Sequence, residues 1–196
     1  MRPAGRRGRA DVAAALAVTV LGCALSVPPA RVLIERSMLW HMVVQMPLLV
    51  AGGALLFRLA QRRAGAHRLD AWNRFGLTGF LAAQCVLAYW MLPLAVDRAV
   101  VLPGADAMKI ASLLAGGAVL AHSFTQAPAV VQLYFVGSTV SMLVSAGAFL
   151  ATTDRRLCDA YLLSHQVEAG WGMAVLGLVL GAVWVSRVLR APTLMH

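Results

Sequence analysis

The stretch Val32–Phe57 reads VLIERSMLWHMVVQMPLLVAGGALLF, and its reading decides the fold. An apolar run of this length spans a bilayer with some tilt, since about 20 residues suffice. Inside it, Met38, Met42 and Met46 recur at intervals of four and share one stripe of a helix. His41 and Gln45 form an adjoining stripe. Thioether sulfur is soft and imidazole is borderline, a mixture that suits Cu(I). The plainer use of the same methionines is to fill irregular gaps between packed helices. The residues of this stretch leave both uses open.

The rest of the chain has the same character. Of its 196 residues 60% are hydrophobic and only 13% are charged, and the mean hydropathy is +0.75. Soluble domains run at roughly 45–50% apolar and about 25% charged. A soluble core of this size cannot hide so much apolar surface, so the chain reads as an integral membrane protein. The net charge of +9 does not point to nucleic acid, because the arginines sit between apolar runs, where they act as topology signals. Cys23, Cys85 and Cys158 make no CxxC pair. The first two read as buried thiols in apolar runs. Cys158 falls in a loop, where a thiol is more open to reaction.

Taken in order, the apolar runs predict six helices in a single domain covering 1–196, near 12–27, 32–57, 75–94, 107–124, 129–150 and 161–188. The expected architecture is an all-α polytopic bundle. Four arginines precede the first run, which reads as a retained helix in preference to a cleaved signal. The segment Ala95–Asp106 reads as a loop with the turn pair Pro103-Gly104. Eleven basic residues fall on the side that holds both termini and six on the other. The positive-inside rule then puts both termini in the cytoplasm. Gly177 and Gly181 make a GxxxG, expected to pack helices within the chain, with a homodimer face as the alternative use.

That topology assigns depths to the polar residues. Met38, His41, Met42 and Gln45 fall in the outer half of the second helix, and His165, Gln166 and Glu168 in the first turns of the last. Ionisable groups within a span mark functional sites by default. His41 and Glu168 lie at comparable depth on different helices, so one outward-opening cavity is expected to hold them. The alternative is that each is satisfied locally, Glu168 by His165 three residues away. No GxSxG elbow, Walker loop or HExxH is present, and the chain is not expected to be an enzyme.

Three patches carry a family resemblance. Trp40-His41-Met42-Val43-Val44-Gln45-Met46-Pro47-Leu48-Leu49, Tyr89-Trp90-Met91-Leu92-Pro93-Leu94 and His165-Gln166-Val167-Glu168-Ala169-Gly170-Trp171-Gly172 resemble the CtaG-like membrane proteins that assist copper delivery to cytochrome c oxidase. That family has an H-M-x-x-H motif followed by leucines, a Tyr-Trp-rich helix end and a late D-Q-x-x-A-G segment. Gln45 stands here where the family has its second histidine, His165 where it has aspartate, and six helices are read where seven are usual. The resemblance implies a bacterial inner-membrane assembly protein with a periplasm-facing copper site. Its partners would be oxidase subunits or a periplasmic copper donor. His41 is the carried-over ligand and Gln166 a matched neighbour.

The combined expectation is Cu(I) binding and transfer without turnover. His41, Met38, Met42 and His165 would be the ligands, with Gln45, Gln166 and Glu168 orienting them. The alternatives are a metal-free accessory subunit of a respiratory complex and a small proton-coupled transporter.

Overall fold

The computed structural model describes residues 4–27, 37–64, 71–158 and 160–190. Its elements are α1 (Ala4–Ala24), a π-helical turn (Trp40–Gln45) that runs straight into α2 (Met46–Ala64), a 3-10 turn (Arg74–Gly76), α3 (Leu77–Trp90), α4 (Pro93–Val101), α5 (Pro103–Gln126), α6 (Ala129–Thr152) and α7 (Leu163–Arg190). No strand occurs among the described residues. The fold is an all-α helical bundle, as the composition requires.

Among the described residues four stretches are long and apolar enough to cross a membrane: Trp40–Arg62, Pro103–Gln126, Ala129–Thr152 and Leu163–Arg190. The α3–α4 pair, bent by 73°, makes a fifth if it counts as one broken span. The apolar part of α1 is shorter, Asp11–Ala24. These stretches fall on the expected second, fourth, fifth and sixth helices and the bent pair on the third, while the described part of α1 is a shorter apolar helix packed on α2. The expected start of the second helix near Val32 lies outside the described residues.

One correction concerns Ala95–Asp106, which is helical for most of its length. Leu92 is extended (φ −74°, ψ 126°), and Pro93 follows at the first helical position. Proline suits that position because its φ is already helical and its missing N–H would be unbonded there anyway. The resulting short α4 buries Ala95, Val96 and Ala99.

Between helices in lipid, close backbone packing replaces the hydrophobic drive, and small residues permit it. A side chain on Gly53 would collide with the carbonyl of Leu114, and one on Gly117 with the carbonyl of Val50. The backbones of α2 and α5 thus touch at two levels. Gly147 of α6 and Gly170 of α7 face each other in the same way. Gly177 lies against Leu143, and Gly181 against Val140. The GxxxG is used inside the chain, between α7 and α6.

The main core joins Met38, Met42, Met46, Leu49, Trp90, Val96, Leu113 and Met173. A second cluster joins Phe80, Ala83, Leu120 and Phe135, where the Phe80 and Phe135 rings stack at 4.4 Å. Met142 accepts a hydrogen bond from Gln84 Nε2 (3.4 Å), and Thr139 donates to Gln84 Oε1 (3.0 Å), which ties α6 to α3.

The entry to α3 is held by a polar knot. Phe75 has φ 59° and Gly76 φ 73°, a left-handed turn that costs a non-glycine residue about 1–2 kcal/mol. Buried Asn73 sustains it. Its Oδ1 accepts from the Gly79 N–H (2.8 Å), and its Nδ2 donates to His122 Nδ1 (2.8 Å) and Ser123 Oγ (2.9 Å). His122, at the far end of α5 from His41, therefore has a bonding role in the turn.

The glycine contacts give a paired test. Gly117→Ala should lower stability by about 1–3 kcal/mol through overpacking. Gly116→Ala, whose Cβ would sit 3.6 Å from Val86 Cγ1, should be close to neutral. Thermal unfolding in detergent compares the two.

Candidate functional site

Pro47 shapes the site before any side chain enters it. Within a helix a proline gives no N–H to the carbonyl four residues earlier, and its ring crowds that carbonyl. The turn before it opens accordingly. The Met46 N–H bonds to the His41 carbonyl, an i→i+5 contact. Single π-turns of this kind recur at functional positions. Here it carries His41, Met42 and Gln45, all buried.

His41 has 0% exposure and reaches two other segments. Its Nδ1 lies 2.9 Å from the Tyr161 hydroxyl, in the segment leading into α7. Its Nε2 lies 3.1 Å from Lys109 Nζ on α5. Lys109 is itself fully buried and pairs with Asp106 Oδ1 at 2.7 Å, one turn away on the same helix. Trp90 Nε1 donates to Ser112 Oγ (2.9 Å), which donates to the Lys109 carbonyl (3.2 Å). The result is a continuous string, Tyr161–His41–Lys109–Asp106, drawn from three parts of the chain.

Its protonation follows from chemistry. A lysine ammonium has donors and no acceptor. If Lys109 is charged, its Nζ–H donates to the lone pair of Nε2, and the ring proton then sits on Nδ1 and is donated to Tyr161 Oη. This tautomer is assigned from the bonding partners.

The expected ligands fare differently. Met38 and Met42 are buried in the core beside the π-turn, with 1% and 2% exposure. His165 is half-buried, and its Nδ1 is buried with no hydrogen-bond partner. The partner of the His41 Nδ1 is the Tyr161 hydroxyl. Gln45 donates to Ser26 Oγ (2.6 Å), and its Oε1 is buried and unbonded. Gln166 is engaged elsewhere. Its Oε1 accepts from the Leu157 N–H (2.9 Å), and its Nε2 faces the carbonyls of Leu150 and Arg155 (3.3 and 3.2 Å). These bonds hold the α6–α7 loop. Glu168 is exposed on α7, whereas His41 has no exposure. Among the described residues no group of three His, Cys, Asp or Glu side chains is placed to hold a metal ion.

As folded, the arrangement does not fit a resident copper ion. One ring nitrogen of His41 is taken by an ammonium and the other is bonded to a hydroxyl. Cysteine positions also differ from expectation: Cys85 is exposed, and loop residue Cys158 is buried in the core.

Lys109, Asp106 and Tyr161 are the site residues that sequence reasoning missed. Lys109 reads as one more basic residue at a helix start. The available signal was an Asp and a Lys three apart inside an apolar run, the spacing of a helical ion pair.

No protein-family model matches the chain, and neither a curated protein nor a solved structure is found to be similar to it.

Two outcomes follow from the bonding. Asp106→Asn leaves a buried ammonium without its carboxylate and should cost about 3–5 kcal/mol, whereas Asp106→Asn with Lys109→Met should recover most of that loss; thermal unfolding in detergent is the measurement. Gln166→Ala should speed hydrogen exchange at the Leu157 amide while the middle of α7 stays protected.

Proposed function

We propose that this protein is an assembly protein of the bacterial inner membrane that handles Cu(I) for a terminal cytochrome c oxidase, by binding and transfer without turnover. Copper is cargo in this reading. The observation that carries it is the meeting of the three family-like patches around one histidine. Trp90, from the second patch, is bonded through Ser112 to the Lys109 turn. Gly172, from the third, packs on Leu39 and Val43 beside His41. The first patch supplies His41 with the sulfurs of Met38 and Met42 on the same stretch of backbone, and the unpaired His165 Nδ1 is the fourth donor proposed.

The arginine bias supports an orientation with both termini in the cytoplasm and the His41 end toward the periplasm, where oxidase subunits or a copper donor would meet it. Contact between the α2 and α5 backbones at Gly53 and Gly117 favours a site served from one end over a path running between these two helices. It weighs against the proton-coupled transporter. The ammonium on His41 favours a second reading, a metal-free accessory subunit of a respiratory complex.

The test is copper bound per purified protein, with Cu(I) supplied under reducing conditions. The wild type should bind copper and His41→Ala should lose most of it. Equal copper in the two would reject the site.

A further inference from the structure

We infer that the left-handed turn at the entry to α3 is a binding site for an anionic phospholipid, with Arg74 on the lipid phosphate and Trp72 and Phe75 beside its upper acyl chains. The inference is independent of how His41 is used.

The backbone supplies the first observation. Phe75 has φ 59°, a conformation that a bulky residue keeps only where its surroundings enforce it. Those surroundings are buried and polar. Asn73 bonds to the Gly79 N–H, His122 and Ser123. Gly76 is pressed on α5, where an added Cβ would lie 2.7 Å from the Ser123 carbonyl oxygen. Glycine at position 75 would make the same turn without strain. The phenylalanine present there is 53% exposed, and Trp72 beside it is 52% exposed. The network thus holds a strained turn that presents two large aromatic residues outward.

Charge supplies the second. Arg74 is exposed between the two aromatics, and its guanidinium carbon lies 5.2 Å from the centre of the Phe75 ring. Stacking of this kind holds the planar guanidinium in place and leaves its N–H groups for a phosphate. No carboxylate among the described residues pairs with Arg74. Arg58, Arg187 and Arg190 are exposed at the same end of the bundle, where Phe57 meets His122 and Trp184 meets Gln132. From the turn toward the middle of the bundle, Leu77 and Leu81 lie four apart on one face of α3 and are 56% and 67% exposed. An arginine, interfacial aromatics and an apolar track below them match the three zones of one phospholipid. A soluble phosphate would satisfy Arg74 and leave the aromatics and leucines uncovered. A zwitterionic lipid brings its own cation beside the phosphate, which weakens the attraction to arginine, so the charge around the turn favours an anionic lipid.

The experiment uses the full chain purified in detergent and titrated with phosphatidylglycerol or phosphatidylcholine, with the first bound lipid read by native mass spectrometry. The wild type should hold phosphatidylglycerol more tightly than phosphatidylcholine. Arg74→Gln should weaken phosphatidylglycerol binding about fivefold and remove most of that preference, while Arg187→Gln should keep it. Phe75→Gly separates the site from the fold: it relieves the positive φ, so thermal stability should hold or rise while phosphatidylglycerol binding falls. Inorganic phosphate at the lipid's concentration should leave the bound lipid in place. Equal binding of the two lipids by the wild type, or an undiminished preference in Arg74→Gln, would overturn the inference. Equal losses in Arg74→Gln and Arg187→Gln would also overturn it, by showing a diffuse charge effect in place of a site. Displacement by inorganic phosphate would reject lipid as the occupant.

Discussion

A lysine side chain with no exposure has to find every partner it needs inside the protein. An unpaired charge in such surroundings costs several kcal/mol. Lys109 therefore constrains more than its own helix. Asp106 must lie one turn away on α5. The π-turn must present a nitrogen lone pair, and the segment entering α7 must bring up Tyr161 to take the proton on the other side of the ring. Three regions of the chain are held in register by one charge. Glycine makes the approach feasible, because α2 and α5 come into backbone contact at Gly53 and Gly117.

Local chemistry prepares this meeting. Pro47 denies the preceding turn its ordinary hydrogen bond, and the backbone widens to the Met46–His41 contact. In the wider turn His41, Met42 and Gln45 are all buried, and Met38 and Met46 are buried beside them. The adjoining stripes expected of a regular helix become one buried surface. A proline, a kinked ladder and a histidine facing inward are one sequence of causes.

The bundle has two polar ends with different work to do. At the Arg58 end, Asn73, His122 and Ser123 stabilise a left-handed turn, with Asn73 spending its side chain on local backbone and near neighbours. At the other end the bonded string runs through ionisable groups of unlike kind. α5 carries part of both, and its glycines close the space between them. Two buried histidines differ here in what surrounds them. The Asn73 amide meets His122, and the Lys109 amine meets His41.

Much of the fold was legible in the sequence because it depends on quantities that sum along the chain. Apolar run length and low charge determined a helical membrane bundle, and Pro128 and the polar turn after Thr152 separated the later helices. The short α4 was not legible, since a nine-residue helix after Pro93 and a loop share the same composition. At the site, the sequence singled out His41 and its burial-prone methionines. It also joined Glu168 and His165 to His41 by depth alone, although depth says nothing of the direction a helix face turns. Rotation of α7 leaves Glu168 exposed, and the segment before it supplies Tyr161 instead. Lys109 was counted as a topology charge because a basic residue near a helix end looks the same whether it reaches outward or inward. By itself, then, the sequence determined which stretches form long apolar helices and which histidine lies beside methionines along the chain. Only the tertiary structure decided what touches that histidine, because contact depends on helix rotation and close packing, and neither is written in spacing along one chain.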